Sequence, residues 1–342
     1  VKSGLVSAIV VNWNRRELLG KCLNSLLAQT GVDLEIIVVD NGSTDGSPES
    51  IEKGFPSVTL IRNPENRGFC AANNQGIAAA RGEFVALLNN DAEATPGWAA
   101  AMVKVCAARP VGMVACKILV HGDLNRIDKV GHLIYPDGQN RGRGTGALDR
   151  GQFDRVEEVL WPDGCAALYR KEMLDEIGGF DEDLFAYADD AELGLRARIA
   201  GWTCIFTPHA VALHHRGNTL GVASVRRLKL IERNRVLLAV KLFPWSLLWM
   251  NPFFYAARLI AGAQAAIRGE GETALFPGWK GKLAMLQGLI WGDLEALCLI
   301  PKMLRKRSAV RRLARLTPRQ VRQLILDNRI DLRELSTQAA IH

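Results

Sequence analysis

Residues 84–92 read F-V-A-L-L-N-N-D-A, five apolar residues running into two amides and a carboxylate. A strand buried on both faces is a continuous apolar run, and open α/β sheets keep their ligands at the carboxyl ends of their strands. The stretch therefore predicts a central parallel strand over 84–88 that delivers Asp91 to a ligand-handling edge. Thr95 and Pro96 then open a helix.

The same alternation extends in both directions. Residues 5–11 (L-V-S-A-I-V-V) predict a first strand, left through Asn12, Trp13, Asn14 and Arg15. Leu18, Leu19, Cys22, Leu23, Leu26 and Leu27 fall at helical spacing within 17–29. Residues 34–40 (L-E-I-I-V-V-D) predict a second strand, again ending in a carboxylate, and 58–62 a third. Helices are expected over 47–54, 70–80 and 96–108, and a fifth strand over 112–119. Strands and helices alternating at this spacing imply an α/β fold, a Rossmann-like, mostly parallel sheet flanked by helices. The strand ends at Asn12, Asp40 and Asn89, Asn90 and Asp91 then share one edge, a nucleotide-site layout. No G-x-G-x-x-G follows the first strand and no G-x-x-x-x-G-K-[ST] occurs, so phosphates need another holder. A divalent ion on a carboxylate is the natural one.

Residues 121–156 lose periodicity and are rich in Gly, Asp, Asn and Arg, as in hairpins or a loop over the sheet where an acceptor binds. Trp161 and Asp163 precede an apolar stretch that resumes at 166–169, and 171–177 predicts a short helix. Asp189 and Glu192 match a capping box that opens a helix ended by Gly201, with Asp190 in its first turn. Strand-like segments at 203–207 and 211–213 lead to His214, His215 and Arg216.

From 222 onward the composition shifts, giving domains 1–221 and 222–342, the second a C-terminal α-helical region. Residues 236–267 and 283–300 are apolar, with Trp245, Trp249, Phe253, Phe254 and Tyr255, but no uninterrupted run of the ~20 residues that span a bilayer is read there. The net charge of +7 is concentrated in the tail, where eleven Lys/Arg between Lys302 and Arg333 face only Asp327, Asp331 and Glu334. No nucleic-acid motif accompanies them, so the reading is no nucleic acid and helices lying in an anionic membrane interface, or else packing on a partner subunit as a homo-oligomer. Seven scattered cysteines without C-x-x-C exclude a zinc ribbon and a disulfide framework and favour a reducing compartment. With no secretory signal read at 6–11, the expected location is cytoplasmic, at the inner face of the cytoplasmic membrane.

Taken together, V-V-N-W-N-R at 10–15, V-V-D-N-G-S-T-D-G-S at 38–47, N-R-G-F-C-A-A-N-N-Q-G-I at 66–77, L-L-N-N-D-A at 87–92, G-G-F-D-E-D-L-F at 178–185 and A-D-D-A-E-L-G-L-R at 188–196 resemble the family 2 inverting glycosyltransferases of the GT-A fold, especially the rhamnosyltransferase-like branch. The resemblance covers about 6–219. It implies transfer of a single sugar from a nucleoside-diphosphate sugar, dTDP-L-rhamnose first and a UDP-sugar next. The acceptor would be a hydroxyl of a glycan or lipid-linked molecule, in cell-envelope polysaccharide synthesis. Asn12 matches a backbone contact to the nucleoside, Asp40 the carboxylate on the pyrimidine, Arg67 its basic neighbour and Asn90 a ribose contact. Asp91 matches the acid that holds Mg²⁺ or Mn²⁺, His214 a further metal ligand and Asp190 the general base. Trp161, Asp163 and Asp189 match acceptor-side or secondary positions. Two acids of the family's D-x-D motif are amides here, which keeps open a non-catalytic nucleotide-sugar-binding protein. The Q-x-x-R-W motif of processive synthases does not follow Asp190.

Overall fold

Aliphatic runs become strands and 3.6-periodic stretches become helices in the structure of the protein, a computed structural model that describes residues 1–107, 111–216 and 224–337. The first part alternates as expected: β1 (Lys2–Asn12), α1 (Arg16–Leu27), β2 (Asp33–Asp40), α2 (Ser47–Gly54), β3 (Thr59–Arg62), α3 (Phe69–Ala79) and β4 (Gly82–Leu88). There follow β5 (Ala92–Ala94), α4 (Trp98–Cys106), β6 (Val111–Val120), β7 (Asp123–Lys129), β8 (His132–Ile134), β9 (Asn140–Gly142), β10 (Glu157–Val159), β11 (Ala166–Arg170), α5 (Lys171–Ile177), α6 (Asp189–Ile199) and β12 (Thr203–His214). Helices α7 (Val225–Leu242), α8 (Trp245–Leu248), α9 (Asn251–Ile267), α10 (Gly278–Leu313), α11 (Pro318–Asp327) and α12 (Leu332–Thr337) complete the described chain. Residue 108, the expected end of α4, lies outside the described residues, as does the expected boundary at 221.

The main sheet has the order β10-β12-β6-β11-β4-β1-β2-β3, with β5 on β12 and β7 on β6. Strands β4, β1, β2 and β3 are parallel. β11 enters between β4 and β6 and runs antiparallel to both. The sheet is therefore mixed at its middle. The stretch read as a turn after β4 also contains β5, which pairs Ala92 with His214. Leu19, Leu23 and Leu26 of α1 and Trp98 and Met102 of α4 pack with Val6, Val10, Val38 and Leu88 in one buried cluster. Each such side chain withdrawn from water contributes roughly 1.5–3 kcal/mol. α3 approaches β1 through Gly76, where a Cβ would stand 2.5 Å from Ile9 Cγ2.

The chain divides into two compact units. The first holds Val1–His132, Gly142–Arg198 and Trp202–Arg216, and thus the main sheet. The second holds Leu133–Arg141, Ile199–Gly201 and Gly217–His342. In the second unit α10 packs on α7 through small residues. A Cβ at Gly292 would stand 2.6 Å from Lys229 O. The acids that interrupt the apolar run of α10 face α7: Arg235 Nη2 lies 3.0 Å from Asp293, and Arg233 Nη1 2.6 Å from Glu295. By length and composition α10 is one helix apolar enough to cross a membrane, although Asp293 and Glu295 still interrupt its apolar run, as the sequence reading has it. Beneath lies a buried ion network. Glu232 accepts from Arg235 (2.9 Å) and Arg258 (2.7 Å), and Arg258 also reaches the fully buried Asp137 (2.6 Å).

Burial alone would raise the Glu232 carboxyl, but Arg258 and Arg235 override it and hold it at about 2. Its contribution is present above pH about 4.5, the ordinary glutamate range, and is lost as pH falls through 2. Glu232→Gln takes away the carboxylate that Arg235 and Arg258 share, leaving them Asp293 and Asp137, and is expected to destabilise the second unit by about 3 kcal/mol at pH 7. Denaturant unfolding followed from pH 7 to 2 checks this, with the gap between variant and wild type closing only below pH 4.5.

Candidate active site

The strand ends meet as the alternation requires. Asn12 and Asp40 are register partners on β1 and β2, and both are buried. Asn12 Nδ2 donates to Asp40 Oδ2 at 3.0 Å, and Asn90 Nδ2 donates to Asn12 Oδ1 at 2.8 Å. Asp40 Oδ1 accepts from Ser43 N at 2.9 Å. Asn14 takes a left-handed φ of 52° and accepts from Thr44 N, clamping the loops after β1 and β2 together. Asparagine tolerates this conformation because its short amide bonds locally. Arg67 is held by its backbone, whose N–H donates to buried Asn41 Oδ1 at 3.1 Å. Its guanidinium makes no hydrogen bond or ion pair among the described residues, which leaves it free for an anion.

Beside this cradle, His214 Nε2 faces Asp91 Oδ1 at 3.4 Å. His214 Nδ1 lies 2.5 Å from Asp128 Oδ2, and Arg216 Nη2 donates to Asp128 Oδ1 at 2.8 Å. Burial alone would depress the imidazole pKa. The groups around it, Cys165, Asp128 and Asp91, override burial and hold it well above the ordinary value. The place between Asp91 and His214 thus favours positive charge. A carboxylate and an imidazole whose far nitrogen is tied to a second carboxylate fit a divalent cation. The amide of Asn90 is turned to Asn12, so the two residues that can hold the ion are Asp91 and His214. Arg216 keeps two buried N–H groups, Nε and Nη1, without partners among the described residues.

A second cluster lies at the start of α6. Asp163 Oδ2 is 2.6 Å from Lys129 Nζ and 2.7 Å from His132 Nε2, and His132 Nε2 is 3.3 Å from Asp190 Oδ2. Asp190 Oδ2 also accepts a long bond, 3.4 Å, from Gly164 N. These three acceptor and ring atoms are close enough to bind an ion, but the Lys129 ammonium already supplies the positive charge at Asp163. Burial would raise Asp163, and Lys129 and His132 override it and hold its carboxyl well below the usual range. Burial raises Asp190, against the pull of His132. Burial and the charge of Asp190 push Asp189 up to about 8. Lys129 and His132 thus favour the ionised form of Asp163, whereas burial shifts both Asp189 and Asp190 toward their protonated forms.

Backbone and packing hold α6 in place. Phe185, Tyr187 and Ala188, just before the acids, have φ of 66°, 70° and 55°, a strained run of the kind that persists where surroundings over-determine it. Trp161 is fully buried behind the cluster, its ring stacked on His132 at 6.1 Å. Gly194 lies against it, and a Cβ there would stand 2.2 Å from Trp161 Cβ. Glu192 bonds Arg196 at 2.8 and 2.9 Å. The residues that sequence reasoning missed are Asp128, Lys129 and His132, all in the stretch without periodicity, together with Asn41, Ser43 and Arg216. The motif residues H-H-R at 214–216 were the available signal for Arg216.

This geometry agrees with the comparisons. The profile described as glycosyl transferase family 2 matches residues 7–178. The chain belongs to glycosyl transferase family 2, and its sheet flanked by helices has the GT-A layout. It is 30% identical over 234 residues to an uncharacterized protein of Sinorhizobium fredii, covering 64% of this chain and 25% of that protein. The chain thus spans a quarter of that relative's length. It is 27% identical over 254 residues to the N-acetylglucosaminyl-diphospho-decaprenol L-rhamnosyltransferase of Mycobacterium tuberculosis, covering 64% of this chain and 78% of that protein. Its fold is like that of the mannosyltransferase PcManGT from Pyrobaculum calidifontis, solved with GDP-Man and Mn²⁺. The TM-score is 0.55 at 22% identity, over 85% of this chain and 86% of that one.

Because a buried acid with a raised pKa is stabilised as its proton is held, Asp189 lowers stability as pH rises. Its contribution is full below the ordinary aspartate value of 3.8 and is lost as pH climbs to about 8. Asp189→Asn removes this dependence. Thermal midpoints of the two proteins from pH 4 to 9 are expected to diverge in favour of the variant as pH rises and to run parallel above 8.

Proposed function

We propose that the chain transfers a single sugar from a nucleoside-diphosphate sugar to a hydroxyl of a glycan or lipid-linked acceptor, with inversion, in envelope polysaccharide synthesis. The donor is dTDP-L-rhamnose in the first instance and a UDP-sugar in the second. The similarity to the mycobacterial rhamnosyltransferase supports this choice. The observation that carries the chemistry is the buried chain of contacts from Lys129 through Asp163 and His132 to Asp190 at the start of α6.

Asp40 and Asn12 receive the base and nucleoside, Asn90 the ribose, and Arg67 supplies a neighbouring positive contact. Asp91 and His214 would hold a divalent cation, Mg²⁺ or Mn²⁺, which would supply positive charge at the diphosphate. The two buried N–H groups of Arg216 point to the same diphosphate, since an anion satisfies donors that the fold leaves unmet. Asp190 takes the proton of the attacking hydroxyl as the bond to the anomeric carbon forms on the face opposite the leaving group. Asp163, held by Lys129, keeps His132 in place, and His132 favours the ionised form of Asp190. Trp161 and Gly194 support this arrangement from behind. With Asp163 engaged by Lys129 and His132, Asp190 is the acid of this cluster offered as base, which suits a single displacement.

Release of nucleoside diphosphate from dTDP-L-rhamnose and UDP-sugars, with acceptor, tests this directly. Asp190→Asn is expected to lower turnover about 10²–10⁴-fold with donor binding nearly intact. Retained turnover would remove Asp190 from the role. His132→Ala is expected to move the acid limb of the pH–rate profile to higher pH, because His132 lowers the pKa of Asp190.

Within the second unit, α10 also supports contact with a membrane surface. Trp279, Leu283, Leu286, Ile290, Leu294 and Leu297 are exposed at helical spacing, opposite the small residues that meet α7. Trp249, Phe253 and Ile267 are exposed as well, the last at 87%. Basic residues follow along the tail. An apolar stripe beside Lys and Arg is the composition of an interfacial helix, and it would bring the enzyme to a lipid-linked acceptor at the inner face of the membrane. Flotation with anionic liposomes at low salt is expected to carry the wild type up and to leave an Ile290→Glu/Leu294→Glu variant behind. A wild type that stays at the bottom would count against the reading.

A further inference from the structure

Three side chains next to the donor site take no part in the chemistry above. Glu93 is the central residue of β5, His121 follows β6, and His215 follows β12. β5 and β6 both pair with β12, so the sheet brings the three together. Backbone bonds fix the two histidines. His121 N donates to His214 O at 2.9 Å, and His215 N donates to Asp91 O at 2.8 Å. Both imidazoles turn Nε2 toward one carboxylate oxygen, Glu93 Oε1, at 2.6 Å for His215 and 3.7 Å for His121. Their rings stack at 3.6 Å with 20° between planes. One ligand atom from each residue lies within 4.8 Å of the others.

A Glu–His hydrogen bond explains one of these contacts. It does not explain why a second imidazole stacks on the first with its nitrogen aimed at the same oxygen. Two imidazoles and one carboxylate are the donor set of three-ligand zinc sites, which keep a further position for water. Imidazole pairs select Zn²⁺, Co²⁺ or Ni²⁺ over the oxygen-seeking Mg²⁺ and Ca²⁺. The His121 side chain is 40% exposed, which gives an ion a way in.

We propose that Glu93, His121 and His215 form a second metal site, of the zinc class, separate from the cation place at Asp91 and His214. An ion there ties β5 and the ends of β6 and β12 to one another. Those segments carry Asp91 and His214 one or two residues away, so the ion braces the edge on which the donor is held. The site stands on its own residues and does not depend on the identity of the sugar.

The test uses the full chain stripped of metal and titrated with Co²⁺, read by its visible absorption bands, with Zn²⁺ in competition. Asp91→Asn is the background, since it weakens the first site and leaves the second. In that background we expect one equivalent of Co²⁺ with bands of low-symmetry, four- or five-coordinate nitrogen and oxygen ligation, displaced by Zn²⁺. Adding His121→Ala is expected to weaken binding by more than about 100-fold, beyond the usual cost of losing an outer-shell partner. His121 is exposed at a turn, and an unchanged thermal midpoint of the metal-free variant verifies that it folds. Glu93→Gln is expected to weaken binding in the same way. Absence of Co²⁺ bands in the Asp91→Asn protein, or equal binding after His121→Ala, would overturn the proposal.

Discussion

A carboxylate taken out of water must find a cation, hydrogen-bond donors or a proton, and one edge of this sheet buries five of them. Asp40, Asp91, Asp128, Asp163 and Asp189 are all nearly inaccessible. Each is satisfied differently. Asp40 takes the Ser43 N–H and the Asn12 amide. Asp128 takes His214 and Arg216, Asp163 takes Lys129 and His132, and Asp189 keeps its proton. Asp91 looks across to His214. Unpaired burial of any one would cost several kcal/mol, so the surrounding loops are bound to the places that supply these partners. The folding requirement and the layout of the candidate site are the same requirement.

That requirement also accounts for the two amides at 89 and 90. Acids at these two positions would add negative charge to an edge that already buries five carboxylates. Asn90 instead donates to Asn12 and knits β4 to β1. From the other side His214 faces Asp91, and the Asp128 behind it fixes which ring nitrogen does so.

The second unit solves a different problem with the same means. Its helices carry charged residues on faces that pack, and they survive because Glu232, Asp137, Asp293 and Glu295 are matched by Arg235, Arg258, Arg233 and Lys229. Tyr255 is sandwiched between two of these guanidinium groups, Arg235 at 4.3 Å and Arg258 at 5.2 Å. With its acids paired to Arg235 and Arg233 of α7, α10 exposes an apolar stripe that includes Trp279, Leu283, Leu286, Ile290, Leu294 and Leu297. A helix that reads as interrupted in one dimension is amphipathic in three.

Apart from β5, the strands and helices read between 5 and 119 were legible in the sequence because their signals are local. Apolar runs, helical spacing and strand ends marked by Asn12, Asp40 and Asp91 need no distant partner to be read. The motifs carried the family, the GT-A layout and the residues singled out at the strand ends and on α6. What the sequence could not express was pairing between segments far apart in the chain. β11 inserts between β4 and β6, β5 finds β12, and Asp128, Lys129 and His132 leave an aperiodic stretch to meet His214, Asp163 and Asp190. By itself the sequence determined which residue types stand at each strand end. Only the tertiary structure decided which acids meet a cation and which are shifted toward their protonated form, because a carboxylate's pKa depends on its burial and on charges brought within a few ångströms by closure of the sheet.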